Sequence, residues 1–275
     1  MTNRLPNCCP FPGVGLAVAI SLLFLNAPLI AKGQESATAT EERAEKQAAE
    51  KKPSAKKIEL FNGKDLAGWE GDPKLWSVQD GQIVGSTIGT KIESNTFLIY
   101  QGGEFADFRL QFKARLAGDN NSGVQYRSQV TNPKMWAVAG YQMDIHANPP
   151  YTAMLFGEGT GRHIIALRGQ KMEIEEEKVE SPLKEGGKLK PIDLAKWHQY
   201  TIEARGNRLV HKLDGKVTVD VTDNHKKKCD RGVIALQVHQ GKPMTVWFKD
   251  ILLEPLDGSS PSRDKPPAES EVAED

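Results

Sequence analysis

Alternation of apolar and polar residues is the main pattern in the central part of the chain. In the stretch "DFRLQFKARL" every second residue is apolar, and the residues between them are Arg, Gln and Lys. A period of two predicts a β-strand with one buried face, as in an antiparallel sheet. The apolar side of this strand consists of Phe108, Leu110, Phe112, Ala114 and Leu116.

Further strands follow towards the C-terminus. The stretch "WHQYTIEARGNRLVHKLDGKVTVDV" holds three strand-like runs, separated by Gly206-Asn207 and by Asp214-Gly215. Asp-Gly between β-prone runs is a strong hairpin signal. Two more runs flank "QGKP", and helical periodicity is weak, so the pattern predicts an all-β sandwich or jelly roll of two antiparallel sheets.

Three of these runs carry amides, acids, imidazoles or guanidinium groups on one side. Successive side chains of a strand point to opposite faces, so residues two apart share a face. If the three strands are neighbours in one sheet, their polar sides form a single binding patch; the alternative is a polar face that only contacts solvent. The shared sides are Gln125 with Arg127, Gln142 with Asp144 and His146, and Gln237 with His239.

Composition divides the chain into four parts. Residues 1–31 contain the apolar run "GVGLAVAISLLFLNAPLIA", which predicts a signal peptide or an uncleaved N-terminal membrane anchor, with cleavage favoured. We therefore expect an exported protein, periplasmic or extracellular. Residues 32–57 have no bulky apolar side chain and predict a charged spacer, and residues 257–275 predict a disordered tail. Residues 58–256 remain as one folded domain.

Charge and cysteine content narrow the function classes. Lys and Arg total 36, as do Asp and Glu, so no net field favours nucleic acid, and none is expected as a partner. Cys8 and Cys9 lie in the leader, which leaves Cys229 as a single thiol that we interpret as buried and inert.

The order of several motifs resembles one known family. "FNGKDLAGWEG", "NSGVQYRS", "GYQMDIHAN" and "RGVIALQVHQG" follow one another between Leu60 and about Leu256. In this order they resemble the 3-keto-disaccharide hydrolase family, the DUF1080 domain. The resemblance implies a concanavalin-like β-sandwich, a carbohydrate substrate of the 3-keto-glycoside class, and a separate sugar oxidoreductase as the metabolic partner that makes it.

The carboxylates do not follow the pattern of a standard retaining glycosidase. Such an enzyme needs two carboxylates roughly 5–5.5 Å apart, often on one strand face. Asp144 has no acidic residue two or four positions away, and Glu158 lies beyond the strand in a predicted loop. Cleavage of a 3-keto-glycoside instead requires a base that removes the C2 proton, a group that stabilises the enolate and a donor that protonates the leaving group. The catalytic candidates are Asp144, His239, His146 and Glu158.

Other residues are candidates for holding the sugar. Arg127 and Arg162 are the guanidinium groups suited to an oxyanion, and Trp136 and Tyr151 are candidates for stacking on a pyranose. Trp197 and Trp247 lie in strongly alternating runs and are expected in the core instead. The full predicted binding set is Gln125, Arg127, Gln142, Arg162, His163, Gln237, Trp136 and Tyr151.

No cofactor is predicted with certainty. Asp144 and His146, joined by His163 and His239, are a candidate set for a divalent metal, but their spacing matches no tight ligand motif. The glycine cluster "FGEGTGRH" lacks dinucleotide-binding spacing and is interpreted as a loop over the site. Two alternatives to an enzyme stay open at this point: a non-catalytic carbohydrate-binding module and a membrane-tethered interaction domain.

Overall fold

A computed structural model describes residues 56–175, 178–182 and 190–256. All of these belong to one unit of the chain, Ser54–Asp275. The predicted leader, the tail and all of the spacer before residue 56 lie outside the described residues. Over the ranges that are described, no helix has the length and apolar character needed to span a membrane.

The described residues form seventeen strands and a single 3-10 turn, Pro133–Met135. In chain order the strands are β1 (Ile58–Glu59), β2 (Trp69–Glu70), β3 (Trp76–Gln79), β4 (Gln82–Ser86), β5 (Thr96–Tyr100), β6 (Phe108–Gly118), β7 (Ser122–Asn132), β8 (Ala137–Ile145), β9 (Leu155–Glu158), β10 (His163–Ala166), β11 (Gln170–Ile174), β12 (Lys178–Pro182), β13 (His198–Arg205), β14 (Arg208–Leu213), β15 (Lys216–Asp223), β16 (Val233–Val238) and β17 (Met244–Pro255).

The strands make two sheets that pack as a sandwich. The ten-stranded sheet has the order β12-β11-β15-β14-β13-β6-β17-β4-β3, with β1 paired to β17. The seven-stranded sheet has the order β10-β9-β8-β7-β16-β5-β2. Neighbours are antiparallel except β11 and β15, which are parallel. The predicted two-sheet sandwich is confirmed, because apolar faces of antiparallel sheets are stable when they cover each other.

Strand β6 shows how the alternation builds the core. Phe108, Leu110 and Phe112 are fully buried, while the residues between them are only half-buried on the outer face. The predicted hairpins also form, because β13, β14 and β15 pair in succession. Asp214 and Gly215 both adopt a positive φ, 48° and 79°, as a tight two-residue hairpin turn requires.

The stretch "FGEGTGRH" is a hairpin rather than a loop, which corrects the sequence interpretation. Strand β9 pairs with β10, and β9 also pairs with β8 at the edge of the seven-stranded sheet. Leu155 and Ile165 bury their side chains in the core, and this holds the hairpin to the sheet. Gly159 and Gly161 turn the chain with positive φ values of 64° and 74°. Glu158 therefore lies on a strand.

Two tryptophans expected in the core are on the outer face of the ten-stranded sheet. Trp197 and Trp247 are half-buried there, and the guanidinium of Arg115 lies 5.3 Å and 4.1 Å from their ring centroids. The ammonium of Lys249 lies 4.4 Å from the centroid of Trp197. The expectation was wrong because these rings stack with cations at positions that alternate with the buried ones.

Candidate functional site

The three polar runs come together in the seven-stranded sheet. Strand β7 pairs with β8 on one side and with β16 on the other. The register places Gln125 opposite Gln142, and Gly123 opposite Asp144. The condition for a merged polar patch is therefore met, and the patch lies on the sheet face that points away from the core.

A cleft of about 570 Å³ lies over this face. Gln142, Asp144 and Gln237 border it on the sheet surface, and we call these three residues the cleft floor. Glu158, His146 and His239 border it as well, so all four catalytic candidates share one cavity. Other predicted or newly seen residues around it include Tyr151, His163, Asn95, Asn121, Met154, Phe156 and Ile164.

One buried serine and two buried glutamines form a continuous hydrogen-bonded series beneath and within the floor. We call this series, Ser128, Gln125 and Gln142, the amide chain. The hydroxyl of Ser128 donates to Oε1 of Gln125 at 2.7 Å. Nε2 of Gln125 donates to Oε1 of Gln142, also at 2.7 Å. Nε2 of Gln142 in turn donates to Oδ1 of Asp144 at 2.7 Å and, more weakly, to Oε1 of Gln237 at 3.4 Å.

Glycine at position 123 makes room for this arrangement. A Cβ atom there would lie 2.5 Å from Cδ of Gln142 and 2.7 Å from its Nε2. Gly140 has a similar role, because a Cβ there would collide with the hydroxyl of Ser128. Close approach of a side chain to backbone is a use of glycine that any larger residue prevents.

Asp144 is the most perturbed acid in the cleft. Its side chain is only 5% exposed, and burial raises its pKa from 3.8 to about 7. The hydrogen bond from Gln142 acts in the opposite direction, and the nearby charge of Glu158 raises the pKa further. A carboxyl group with a pKa near neutrality can give or take a proton under physiological conditions.

Two of the three histidines that border the cleft, His146 and His239, both leave Nε2 free but differ in whether that nitrogen carries the proton. The backbone N–H of Asn148 donates to Nδ1 of His146 at 2.9 Å, so neutral His146 carries its proton on Nε2. Burial and the neighbouring His239 lower the pKa of His146, which keeps it neutral. Nδ1 of His239 lies 2.7 Å from the carbonyl oxygen of Gln240 and donates to it. Neutral His239 therefore has its lone pair on Nε2, as a general base requires.

Glu158 is held by an asparagine that sequence reasoning missed. Nδ2 of Asn95 donates to Oε1 of Glu158 at 3.2 Å, and Oδ1 of Asn95 accepts the backbone N–H of Gln240 at 3.1 Å. Asn95 thus connects the acidic side of the cleft to the segment that carries His239. It lies in a loop before β5, where no pattern in the sequence marks it. Ser128 and Gly123 lie on β7 and were also missed, because Ser128 is placed by the bulge after Tyr126 and the need for glycine at 123 depends on Gln142 in the neighbouring strand.

Aromatic and apolar groups surround the polar floor. The ring of Tyr151 packs edge-on against His146, with centroids 5.2 Å apart. His163 has a positive φ of 53° and is exposed at the rim, near Phe156. Ile164, 38% exposed, adds an apolar edge. A rim of this kind suits the mixed apolar and polar faces of a sugar ring.

Arg127 does not reach the cleft, although alternation placed it beside Gln125. The strand bulges between Tyr126 and Gln129, and Arg127 itself has a φ of 47°. Its guanidinium is 2% exposed and donates to the carbonyl oxygens of Ala106 and Gly206 and to Asp107. A bulge shifts the alternation by one residue, so the period-two rule fails beyond Tyr126.

Arg162 also has a structural role and does not bind at the cleft. Its guanidinium makes a two-pronged ion pair with Asp223, at 2.6 Å and 3.0 Å, and Asp223 is 1% exposed. Tyr141 donates its hydroxyl to the same carboxylate at 2.5 Å. Asp223 is on the ten-stranded sheet, so this pair connects the two sheets instead of binding at the cleft.

Two further predicted binding residues lie outside the cavity lining. Trp136 ends the 3-10 turn in a left-handed conformation, and its ring packs against Phe97, Val138 and the rest of a small apolar cluster. It therefore takes part in the packing of this cluster and does not line the cleft. Gln125 is fully buried beneath the floor and acts through Gln142.

The candidate metal ligands line one cleft but do not form a coordinating group. Asp144, His146, His163 and His239 all border the cleft. Among the residues that the structure describes, however, no group of three or more His, Cys, Asp or Glu side chains is arranged to hold a metal ion. The residues present do not fit a metal site, and none of the chemistry below is assigned to one.

Solved structures share this fold at low sequence identity. A protein described as a "putative glycosyl hydrolase" from Parabacteroides distasonis is 19% identical with a TM-score of 0.50, over 78% of this chain and 97% of that chain. A Bacillus subtilis protein of unknown function with a galectin-like fold is 11% identical with a TM-score of 0.50, over 74% and 97%. The carbohydrate binding module CBM66 from Bacillus subtilis is 18% identical with a TM-score of 0.48, over 68% and 95%. The similarity to the first two structures supports the jelly-roll sandwich fold.

A search of the curated proteins finds no match to the sequence. The sequence profile of one protein family, however, matches residues 56–254, which is nearly the whole described sandwich and includes every residue of the cleft. The match confirms the resemblance that the order of motifs indicated. The chain belongs to the family of the 3-keto-alpha-glucoside-1,2-lyase-like domain.

Proposed function

We propose that the cleft cleaves the glycosidic bond of 3-keto-glycosides, 3-keto-disaccharides among them, as a hydrolase or lyase. The observation that carries the proposal is the pairing, in one cavity, of a buried Asp144 with a pKa of about 7 and the imidazole of His239, whose Nδ1 is bonded to Gln240 and whose Nε2 is free. Family membership supports the same substrate class.

The chemistry of a 3-keto sugar needs only modest acids and bases. The carbonyl at C3 acidifies the proton on C2, so a base can remove it and leave an enolate. The electron pair then returns from the enolate, the bond from C1 to the glycosidic oxygen breaks, and the departing group takes up a proton. Water finally adds to the unsaturated sugar, with OH to C1 and H to C2. Proton transfer by a positioned side chain contributes about 10²–10⁴-fold to steps of this kind.

The geometry supplies a role for each group. In the proposal, Nε2 of His239 takes the C2 proton and afterwards returns it to the departing oxygen. Asp144, neutral at and below about pH 7, donates to the sugar oxygen on which charge develops. Nε2–H of His146, which cannot act as a base in the tautomer fixed by Asn148, binds a sugar hydroxyl.

Comparison of an oxidised and an unoxidised substrate tests the proposal. Purified protein is incubated with p-nitrophenyl 3-keto-glucoside and with p-nitrophenyl glucoside, and release of nitrophenol is followed. We expect release from the ketone alone. Cleavage of the unoxidised glucoside at an equal rate would instead indicate ordinary two-carboxylate hydrolysis by Asp144 and Glu158. Binding of glycans with no turnover of either compound would indicate a carbohydrate-binding module.

The source of the substrate and the place of action belong to the same proposal. A 3-ketone arises by oxidation of a C3 hydroxyl, so a separate sugar oxidoreductase must supply it. We further propose that the protein acts after export, in the periplasm or outside the cell. Cell fractionation followed by alkaline extraction of the membranes checks this: release of the protein supports a cleaved leader, and retention supports an N-terminal anchor.

A further inference from the structure

The nitrogen of one buried amide in the cleft floor has no hydrogen-bond partner. The side chain of Gln237 is 0% exposed to solvent, and within the described residues its Nε2 finds no hydrogen-bond acceptor. Leaving a buried N–H donor unpaired is unfavourable, so such groups are rare outside functional sites. Gln237 borders the cleft, and a ligand atom on the floor is the partner that this donor lacks.

The amide chain explains why the nitrogen of Gln237, and not its oxygen, is left over. Ser128, Gln125 and Gln142 each donate to the next acceptor in the same direction. Gln142 therefore presents its N–H groups to the floor, where Oδ1 of Asp144 and Oε1 of Gln237 both accept from it. Oδ1 of Asp144 and Oε1 of Gln237 therefore each accept a hydrogen bond from Gln142, and Nε2 of Gln237 is the atom left without a partner.

The direction of the amide chain also determines which oxygen of Asp144 carries the proton. Since Oδ1 accepts from Gln142 at 2.7 Å, the neutral acid carries its proton on Oδ2. The floor thus offers two donors side by side, one from Asp144 and one from Gln237. The two oxygens of the floor that accept, Oδ1 of Asp144 and Oε1 of Gln237, are turned towards Gln142 and already bonded to it.

Two donors that face the cleft together select the chemistry of the oxygen that binds there. A sugar hydroxyl can accept from both, but its own hydrogen then needs a separate acceptor. A ketone oxygen has two lone pairs and no hydrogen, so it satisfies both donors at no such cost. When the C2 proton leaves, this oxygen becomes an enolate oxygen, and each hydrogen bond strengthens as charge develops.

We propose that Gln237 Nε2 and Asp144 Oδ2 together bind the C3 keto oxygen of the substrate, and that Gln237 is a determinant of specificity for oxidised over unoxidised sugars. This inference rests on the proposed function. It adds which oxygen Asp144 serves and assigns the amide chain as a positioning device, since its direction keeps both donors turned towards the cleft.

A ketone without a leaving group isolates the binding step and the proton-transfer step. The probe is the 3-keto derivative of 1,5-anhydroglucitol, which has no C1 substituent to expel, and the unoxidised 1,5-anhydroglucitol is the comparison. Calorimetry measures the Kd of both compounds. Proton NMR in D2O measures exchange of the C2 proton of the ketone, which reports enolate formation alone.

For the variant Gln237→Leu we expect about a tenfold loss of preference for the ketone, since one net hydrogen bond is worth about 1 kcal/mol. Exchange at C2 slows about 10²-fold or more, as on loss of one oxyanion donor. The nearly isosteric Gln237→Met, which has no N–H group at this position, is expected to show the same losses. Gln111→Leu, in strand β6 of the other sheet, is the matched control and keeps both properties of the wild type.

Each outcome supports or overturns the inference. If Gln237→Leu and Gln237→Met fold, as thermal melting shows, and retain both ketone preference and exchange rate, Gln237 is not the ketone donor and the inference is wrong. The proposed function then survives, provided that the wild type still exchanges the C2 proton and cleaves 3-keto-glucosides. If the wild type does neither, the proposed function itself fails.

Discussion

Gln142 and Asp144 lie two positions apart on β8, and the amide of Gln142 donates to Oδ1 of Asp144 at 2.7 Å. A hydrogen bond to the ionised form lowers the pKa of a carboxyl group, yet burial outweighs it and the pKa of Asp144 is raised to about 7. The cleft therefore holds its acid in place with a neutral donor, and the acid stays mostly protonated below about pH 7.

Loss of either proposed acid–base group, Asp144 or His239, should slow turnover strongly. For Asp144→Ala and for His239→Ala we expect kcat on a 3-keto-glucoside to fall about 10²–10⁴-fold, since each removes one proton-transfer partner. The histidine control is His225→Ala, which lies outside the cleft lining and should retain wild-type kcat. Stopped assays of sugar release measure the rates. Full activity in either cleft variant would remove that residue from the mechanism.

Stability should depend on pH through Asp144. Its pKa is 3.8 when unfolded and about 7 when folded, so between these values the folded state holds a proton that the unfolded state has lost. Folding is therefore favoured by this group below about pH 4, and the contribution is lost as pH rises through about 7. Relative to wild type, Asp144→Asn should gain up to about 4 kcal/mol in unfolding free energy between pH 4 and pH 8. Urea titrations at both pH values measure the gain, and an equal difference at both would contradict the raised pKa.

Gly123→Ala should disturb the floor through Gln142. The added Cβ would lie 2.5 Å from Cδ of Gln142, and displacing that side chain breaks its hydrogen bond to Asp144. We expect a loss of about 1–3 kcal/mol in stability, as for overpacking, with a matching loss of activity. In a Gln142→Ala background the same substitution finds space and should cost little stability. The double-mutant cycle of unfolding free energies measures this coupling, and simple additivity would argue against the clash.

Arg162 should matter for stability and not for recognition. Removing one partner of a buried ion pair leaves the other charge uncompensated, so Arg162→Met is expected to lower the unfolding free energy by about 3–5 kcal/mol. The exposed pair of Arg208 and Asp220 provides the control, since Arg208→Met should change stability by about 1 kcal/mol or less. Kd for the 3-keto probe should be unchanged in the folded fraction of Arg162→Met. A weaker Kd with normal stability would restore Arg162 to the binding site.

Much of the cleft was accessible from the sequence because strand alternation is a local rule. Asp144 and Gln142 share a face wherever β8 lies, and Gln237 shares one with His239 by the same geometry. The rule fails where the backbone departs from regular pleating. At the bulge after Tyr126, the side chain of Arg127 forms an ion pair with Asp107 and does not point to the cleft. Trp136 has a left-handed backbone conformation, and its ring packs against an apolar cluster.

The sequence by itself determined the two-sheet all-β fold, the family and the polar faces of β7, β8 and β16, since each depends on side chains close together in the chain. Only the tertiary structure decided that those strands are neighbours, that Glu158 and Asn95 meet across the cleft, and that Asp144 is buried. Burial, strand order and the direction of a hydrogen-bonded chain depend on residues far apart in sequence. These are the properties that raise the pKa of Asp144 and leave the amide of Gln237 free.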